Sequence, residues 1–284
     1  MTVHALVAAA RQHLRAAGIA DDEADLDARL LAQRLLGWDA ARYFVAGHDP
    51  ASPGFTDAYR TLVERRAARE PLAYLLGQRD FWDLTFEVSP AVLIPRPETE
   101  LIVEAVLERF PNRASPLVAA DVCTGSGCLA VTLACERAGA RITATDVSRE
   151  ALTVAKRNAR RHHVADRIRF AEADLLTGVP GPFDLIVANP PYVPDSDRQS
   201  LPPEVIDFEP AIALFGGPDG LDVVRDLLEQ AADRLRPQGV LIFEIGAGQA
   251  DAVTGLISAS ARLKISEIRR DLQGTPRTVV AART

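Results

Sequence analysis

The chain has 284 residues, 48% of them hydrophobic and 25% charged, with a formal net charge of −7. That acidity argues against a protein that lives by gripping phosphate backbones, so no direct nucleic-acid binding is expected. No stretch reaches the ~18 consecutive apolar residues that a membrane span requires. Cys123, Cys128 and Cys135 lack the spacing of a structural zinc site and have no histidine near them in sequence. They read as small buried side chains in a reducing cytoplasm, and no metal is expected.

The first residues set Arg11, Arg15, His4 and His13 in an Ala/Leu-rich pattern, which predicts an amphipathic helix over 3–17 rather than a signal sequence. Gly18 stops it. A second helix fits 21–36, with Asp21, Asp22 and Glu23 at its positive end and Leu26, Leu30, Leu31 and Leu35 on one face. Asp39 suits the cap of a short third helix, a fourth fits 56–69, and Pro71 can open a fifth. Short helices with one apolar stripe each must pack on one another, so residues 1–78 are expected to form a small bundle.

Leu84, Phe86 and Val88 alternate, Ser89-Pro90 suggests a turn, and Val92 and Ile94 alternate again. This predicts a β-hairpin in a linker spanning 79–96. From 97 to 284 the chain alternates strand and helix. Strands are expected at 116–122, 141–146, 167–172, 183–188, 239–245, 264–270 and 276–282, with helices at 126–138, 149–162, 219–235 and 248–260. The fold class is therefore α/β, a Rossmann-like and mostly parallel sheet covered on both faces. Only a few residues around Gln273-Gly274 join the last two strands, too few for a parallel crossover, so the final strand should be antiparallel to its neighbour. The Pro/Gly/Asp-rich segment 190–220 should form a loop over the site.

DVCTGSGCLA (121–130) follows a strand and opens a helix, and Gly125 and Gly127 permit a tight turn and close approach of a ligand. GSGCLA also satisfies a dinucleotide pattern, with Asp146 lying 19 residues after Gly127, so a nicotinamide cofactor has to be weighed. Successive strand ends offer Asp146, suited to ribose hydroxyls or to capping before Ser148, then Asp174, then Asn189. Together with the glycine loop they favour an adenosine ligand.

IVANPPYVPD (186–195) places Asn189, Pro190, Pro191 and Tyr192 at the mouth of a strand. Prolines have no N–H and a fixed φ, so the loop has a set shape and presents carbonyls without competing donors. The Asn189 oxygen and the Pro190 carbonyl are two acceptors close together, which suits one planar –NH2 group with two hydrogens to give. Tyr192 offers a flat face to lie against it. No His, Cys or Lys lies in the loop, so covalent catalysis is not indicated. A delocalised amide or amino nitrogen held this way needs an electrophile, and the sulfonium methyl of S-adenosylmethionine fits, with adenosine for the strand-end acids. The bland reading is a rigid strand-to-loop turn with a packed tyrosine.

At this point the chain resembles a known family. PLAYLLGQRDFWDLTFEVSPAVLIPRPETELIVEAVL (71–107), DVCTGSGCLA, ATDVSREALTVAKRNA (144–159), FDLIVANPPYV (183–193), FEPAIALFGGPDGLDVVRDLL (208–228), LIFEIGAGQ (241–249) and RRDLQGTPRTVVAAR (269–283) are similar to the protein-(glutamine-N5) methyltransferases that modify peptide chain release factors. The resemblance implies a class I S-adenosylmethionine methyltransferase acting on the glutamine of the release-factor Gly-Gly-Gln loop, with a helical N-terminal domain that helps engage the factor; a cytoplasmic location is expected, and nothing in the sequence demands more than a monomer. It implies that Cys123, Thr124, Gly125, Ser126 and Gly127 line the methionine part of the cofactor, that Asp146 holds the ribose, and that the adenine lies near Asp174 and Leu175. Asn189 would touch both cofactor and substrate, and Asn189, Pro190, Pro191 and Tyr192 would clamp the glutamine amide. The family usually has glycine where this chain has Cys123, and some relatives stack the adenine on an aromatic that is lacking beside Asp174. Read without the resemblance, IPRPETE is a helix start in which Arg96 pairs with Glu98 or Glu100; the resemblance implies that the segment shapes one wall of the cofactor pocket. Two other readings are adenine-N6 methylation of DNA or rRNA, which suits the same clamp, and a noncatalytic adaptor with a vestigial cofactor fold.

Overall fold

Local sequence sets where each helix begins and ends. In the computed structural model, which describes residues 1–284, five helices come first: α1 (Val3–Ala16), α2 (Asp21–Leu36), α3 (Ala40–Ala46), α4 (Pro53–Ala67) and α5 (Leu72–Leu76). Thr2, Asp39 and Ser52 accept hydrogen bonds from free N–H groups of α1, α3 and α4, and Pro53 occupies the first turn of α4 where no N–H is needed. Gly37 and Gly77 end α2 and α5 in the left-handed conformation.

The buried face of α2 differs from the leucine stripe that its sequence suggests. Leu26 and Leu35 are exposed, whereas Ala24, Asp27, Ala28, Leu31 and Ala32 are buried. Three alanines at fourfold spacing let neighbouring helices approach closely, and the turn of the helix carries Asp27 inward to meet Arg66 of α4 at 2.6 Å. Tyr59 of α4 donates to the Ala28 carbonyl.

The hairpin lies one step earlier than the alternation predicts. β1 (Gln78–Phe81) pairs antiparallel with β2 (Leu84–Glu87) around Trp82-Asp83, with Trp82 at φ 54°. Val88 to Arg96 form no second strand. Pro90 and Pro95 remove the donors a ladder needs, so this stretch is free to run as a wall.

The remaining elements alternate: α6 (Glu100–Arg109), β3 (Leu117–Val122), α7 (Cys128–Glu136), β4 (Ala140–Asp146), α8 (Arg149–Arg161), β5 (Ile168–Glu172), β6 (Phe183–Ala188), α9 (Pro203–Ile206), α10 (Asp222–Arg234), β7 (Leu235–Glu244), α11 (Ala250–Ser260), β8 (Leu263–Arg270) and β9 (Pro276–Arg283). Seven strands form one sheet in the order β5-β4-β3-β6-β7-β9-β8. β9 is antiparallel to both neighbours and slots between β7 and β8. Alternate strand residues divide between two cores. Ala119, Leu185, Val187 and Ile242 pack with Ile102, Val103, Leu129 and Val131, while Ala120, Ile186, Leu241 and Phe243 pack with Val224, Leu227, Val253 and Ile257. Burial on both faces is why these strands read as continuous apolar runs.

The chain divides into two units, Met1–Gly77 with Pro202–Phe208, and Gln78–Leu201 with Glu209–Thr284. Within the first, Glu204 of α9 accepts from Arg66 and Arg69. No helix is long and apolar enough to cross a membrane.

Candidate active site

β3 is flanked by β4 on one side and β6 on the other, so connections leave it in opposite directions and open a crevice at its carboxyl end. The last β3–β6 pair is Val122 with Ala188, which sets Cys123 and Asn189 side by side although 66 positions separate them in sequence. Into this crevice opens a cavity of about 390 Å³. Its lining includes Cys123, Thr124, Gly125 and Ser126 from the glycine loop, then Asp146, Asp174, Leu175, Asn189 and Pro191. Thr99 and Pro95 supply one wall, and Pro210, Ile212 and Phe215 another. Gly127, Pro190 and Tyr192 do not line it.

The glycine loop is held from below by a buried carboxylate. Asp121 ends near the base of the loop and accepts from the Thr124 hydroxyl at 2.6 Å and the Ala130 amide at 3.0 Å. Burial pushes its pKa up to about 7, with Asp146 adding to the rise. Cys123, Gly125 and Gly127 all have positive φ. Gly125 faces open space, so its lack of a side chain leaves room for a guest. Gly127 serves packing instead: a Cβ there would lie 3.0 Å from the Ala155 Cβ of α8. Asn158 of α8 completes the support, donating to the carbonyls of Ser126 and Glu87 and accepting from the Glu87 amide. Asn158 thus anchors the basic C-terminal end of α8 and the residues after it, KRNARRHH (156–163), to β2.

Cys123 at φ 59° explains why glycine suits this position: an L side chain pays a steric penalty in left-handed backbone. Burial raises the Cys123 thiol above its usual range, which favours the neutral thiol at this position in the cavity lining. Cys123→Val should add a β-branched clash worth about 1–3 kcal/mol. It is expected to lower the melting temperature and to weaken cofactor binding measured by calorimetry, with Cys123→Gly at least matching the parent.

Asp146 is not the cap of α8; Ser148 is, accepting from the Ala151 amide. The Asp146 carboxylate instead accepts from the amides of Gly125 and Ser148, both at 2.9 Å, which ties the glycine loop to the end of β4. Burial raises its pKa, opposed by those amides. Asp174 is exposed at the rim and Leu175 is buried beneath it.

Asn189 heads a hydrogen-bond chain that runs from the cavity wall into the interior. Its Nδ2 donates to Thr99 Oγ1 at 3.0 Å, the Thr99 hydroxyl donates to Glu244 Oε2 at 2.6 Å, and the Tyr192 hydroxyl donates to Glu244 Oε1 at 2.9 Å. β6–β7 register pairs Ala188 with Phe243, which is why Glu244 stands next to Asn189. The Tyr192 hydroxyl is therefore committed to this anchor, with the residue's backbone carbonyl accepting from Gln249 at 2.9 Å. Burial raises the pKa of Glu244, opposed by the Thr99 and Tyr192 hydroxyls. Arg96 pairs with neither Glu98 nor Glu100. It meets the buried Glu209, whose other oxygen accepts from the Ile94 amide at 3.1 Å. Glu209 thereby pins the 209–215 wall of the cavity to the IPRP wall.

Thr99, Glu244 and Asp121 are the site residues that pattern reading passes over, whereas Glu209-Pro210 reads from sequence either as a turn of the long loop or as a closure of the site, and the pairing of Glu209 with Arg96 and Ile94 favours the second. A signal existed for Glu244, a lone carboxylate inside the apolar run LIFEIG, where burial demands a partner.

The lining suits a cationic adenosine donor. It holds two carboxylates, an apolar slot of Val147, Ala173 and Leu175, and no Lys, Arg or His.

Comparison with known proteins agrees. Residues 5–77 match the family model described as the PrmC N-terminal domain, and residues 99–206 match the methyltransferase small domain. The release factor glutamine methyltransferase of Bradyrhizobium diazoefficiens is 41% identical over 92% of this chain and 88% of its own. That of Moorella thermoacetica is 43% identical over 90% and 91%. The chain belongs to the release factor glutamine methyltransferase family. Among solved structures, ribosomal protein L11 methylase from Lactobacillus delbrueckii subsp. bulgaricus is similar with a TM-score of 0.50 and 26% identity, over 66% of this chain and 80% of that one. Family membership and the methyltransferase domain make this chain an S-adenosylmethionine-dependent methyltransferase.

Proposed function

We propose that this methyltransferase modifies the side-chain amide nitrogen of the glutamine in the Gly-Gly-Gln loop of peptide chain release factors, and that Asn189 is the residue that clamps that amide. The single observation that carries the reading is the orientation of the Asn189 carboxamide. Its nitrogen is tied to Thr99, which leaves Oδ1 as the atom for the cavity that Asn189 lines. Oδ1 accepts one hydrogen of the substrate amide, Pro191 bounds the slot, and the second hydrogen falls to the Pro190 carbonyl, the next acceptor along the chain although Pro190 is not among the residues that line the cavity.

S-adenosylmethionine supplies an electrophilic methyl group on a sulfonium. Asp146 holds the ribose, Gly125 and its neighbours flank the methionine part, and Asp174 and Leu175 bound the adenine. The clamp draws electron density onto a nitrogen whose lone pair is delocalised and fixes it toward the donor, and alignment of this kind is worth several kcal/mol of barrier. No side chain of the loop is required to form a covalent bond. The enzyme acts as a cytoplasmic monomer on the factor itself and needs no nucleic acid.

Mass spectrometry of release factor incubated with enzyme and S-adenosylmethionine should show one added methyl group, on the loop glutamine. Parallel incubations with DNA and rRNA should show no incorporation. Transfer to nucleic acid with none to the factor would reverse the assignment.

A further inference from the structure

We propose that Glu244 is a positioning residue that sets the polarity of the Asn189 carboxamide through Thr99, so that an acceptor rather than a donor faces the substrate amide. This rests on the reading of Asn189 as the clamp. An asparagine side chain is nearly symmetric in shape, with oxygen on one branch and NH2 on the other. Shape alone does not decide which branch points into the cavity, and the wrong choice would set donor against donor.

The chain of bonds decides it. Glu244 is almost fully buried, 1% exposed, and both of its oxygens accept from hydroxyls. A threonine hydroxyl has one hydrogen, and Thr99 gives it to Glu244 Oε2. Only lone pairs of Thr99 Oγ1 then remain for Asn189, and only the Nδ2 branch can answer them. The buried carboxylate therefore fixes, two bonds away, which atom the substrate meets. Thr99 is itself 1% exposed although it forms part of the cavity wall, and its hydroxyl is engaged by protein groups on both sides, Glu244 and Asn189. The same carboxylate holds the Tyr192 hydroxyl, so both ends of the NPPY turn are referred to one buried charge.

If the acceptor at 244 is removed, the Thr99 hydrogen is free to turn toward Asn189, and the carboxamide rotates to present Nδ2. Glu244→Met is the direct test, because it keeps length and removes both acceptors. It is expected to lower kcat about 100-fold, the scale of losing one preorganised polar contact, while cofactor Kd stays within about threefold. Thr99→Val should do the same, and Thr99→Ser should restore most of the rate lost in Thr99→Val. A release factor carrying glutamate in place of the loop glutamine supplies the readout that a merely structural role would not move. Its carboxylate faces an acceptor in the parent enzyme but a donor in Glu244→Met. Its affinity relative to the glutamine factor should rise about 10-fold or more in that variant.

Unchanged kcat in folded, cofactor-binding Glu244→Met and Thr99→Val would overturn the proposal. So would a lower kcat without the shift toward the glutamate factor. Should Glu244→Met fail to fold by circular dichroism, the Thr99→Val and Thr99→Ser pair decides with the same two readouts. Normal turnover by Asn189→Ala, by contrast, would defeat the clamp reading itself rather than the relay.

Discussion

Asn189→Ala is expected to keep the fold and the cofactor and to lose methyl transfer by about 1000-fold or more, the combined scale of one lost preorganised acceptor and of misalignment at the reacting nitrogen. The residue is partly exposed at the end of β6, and its removal strips one donor from Thr99 without opening the core. The melting temperature should therefore change little, and calorimetry with S-adenosylmethionine should give a Kd within about threefold of the parent, since Asp146 and the glycine loop remain. The loss belongs in kcat more than in KM, because the contact matters most as the nitrogen begins to bond. Asn189→Asp keeps an oxygen toward the substrate but gives up the bond to Thr99, and should fall between the two. A folded Asn189→Ala enzyme with normal kcat would rule out the clamp.

The largest effect on stability is expected in the helical unit. Arg66 is 4% exposed and Asp27 5% exposed, and Glu204 joins the pair at 3.1 Å. Arg66→Ala leaves a buried carboxylate without its partner, a loss of about 3–5 kcal/mol. Replacing both residues by apolar ones of similar size, Asp27→Leu with Arg66→Met, should cost much less, because no buried charge is then stranded. The pH dependence carries a definite sign. Burial raises the Asp27 pKa above its ordinary value even with Arg66 present, opposed by the guanidinium's hydrogen bond and charge. Without Arg66 the rise is larger, so the folded state holds a proton that the unfolded state has released. Stability then falls as pH climbs above the unfolded carboxylate range and recovers below it. Urea denaturation should show the deficit of Arg66→Ala shrinking toward about pH 4, where unfolded aspartate begins to take up its own proton. A deficit that is the same at acid and neutral pH would mean that the loss comes from packing alone.

Much of this protein was legible before any coordinates. The 183–188 strand lies where its apolar run places it, and Asp39 caps α3 as its residue type suggests. IPRPETE, the glycine loop and NPPY each read as parts of one site. Other features resisted pattern reading for identifiable reasons. Leu26 and Leu35 of α2 point outward because the closest packing is made by alanines, which carry almost no periodic signal. The hairpin turns at Trp82-Asp83, with a tryptophan in left-handed backbone that no turn preference would suggest. Arg96 had two acids within four residues and chose a third more than a hundred positions away.

What the sequence determined by itself was the periodicity of its elements, their caps and the residue types at strand ends, because these depend on neighbours a few residues apart. Only the tertiary structure decided what stands beside Asn189. Strand register brings Cys123 and Glu244 next to it, and the turn into α6 brings Thr99. Register is a property of pairing between distant segments, and so is the direction in which a buried hydroxyl gives its one hydrogen.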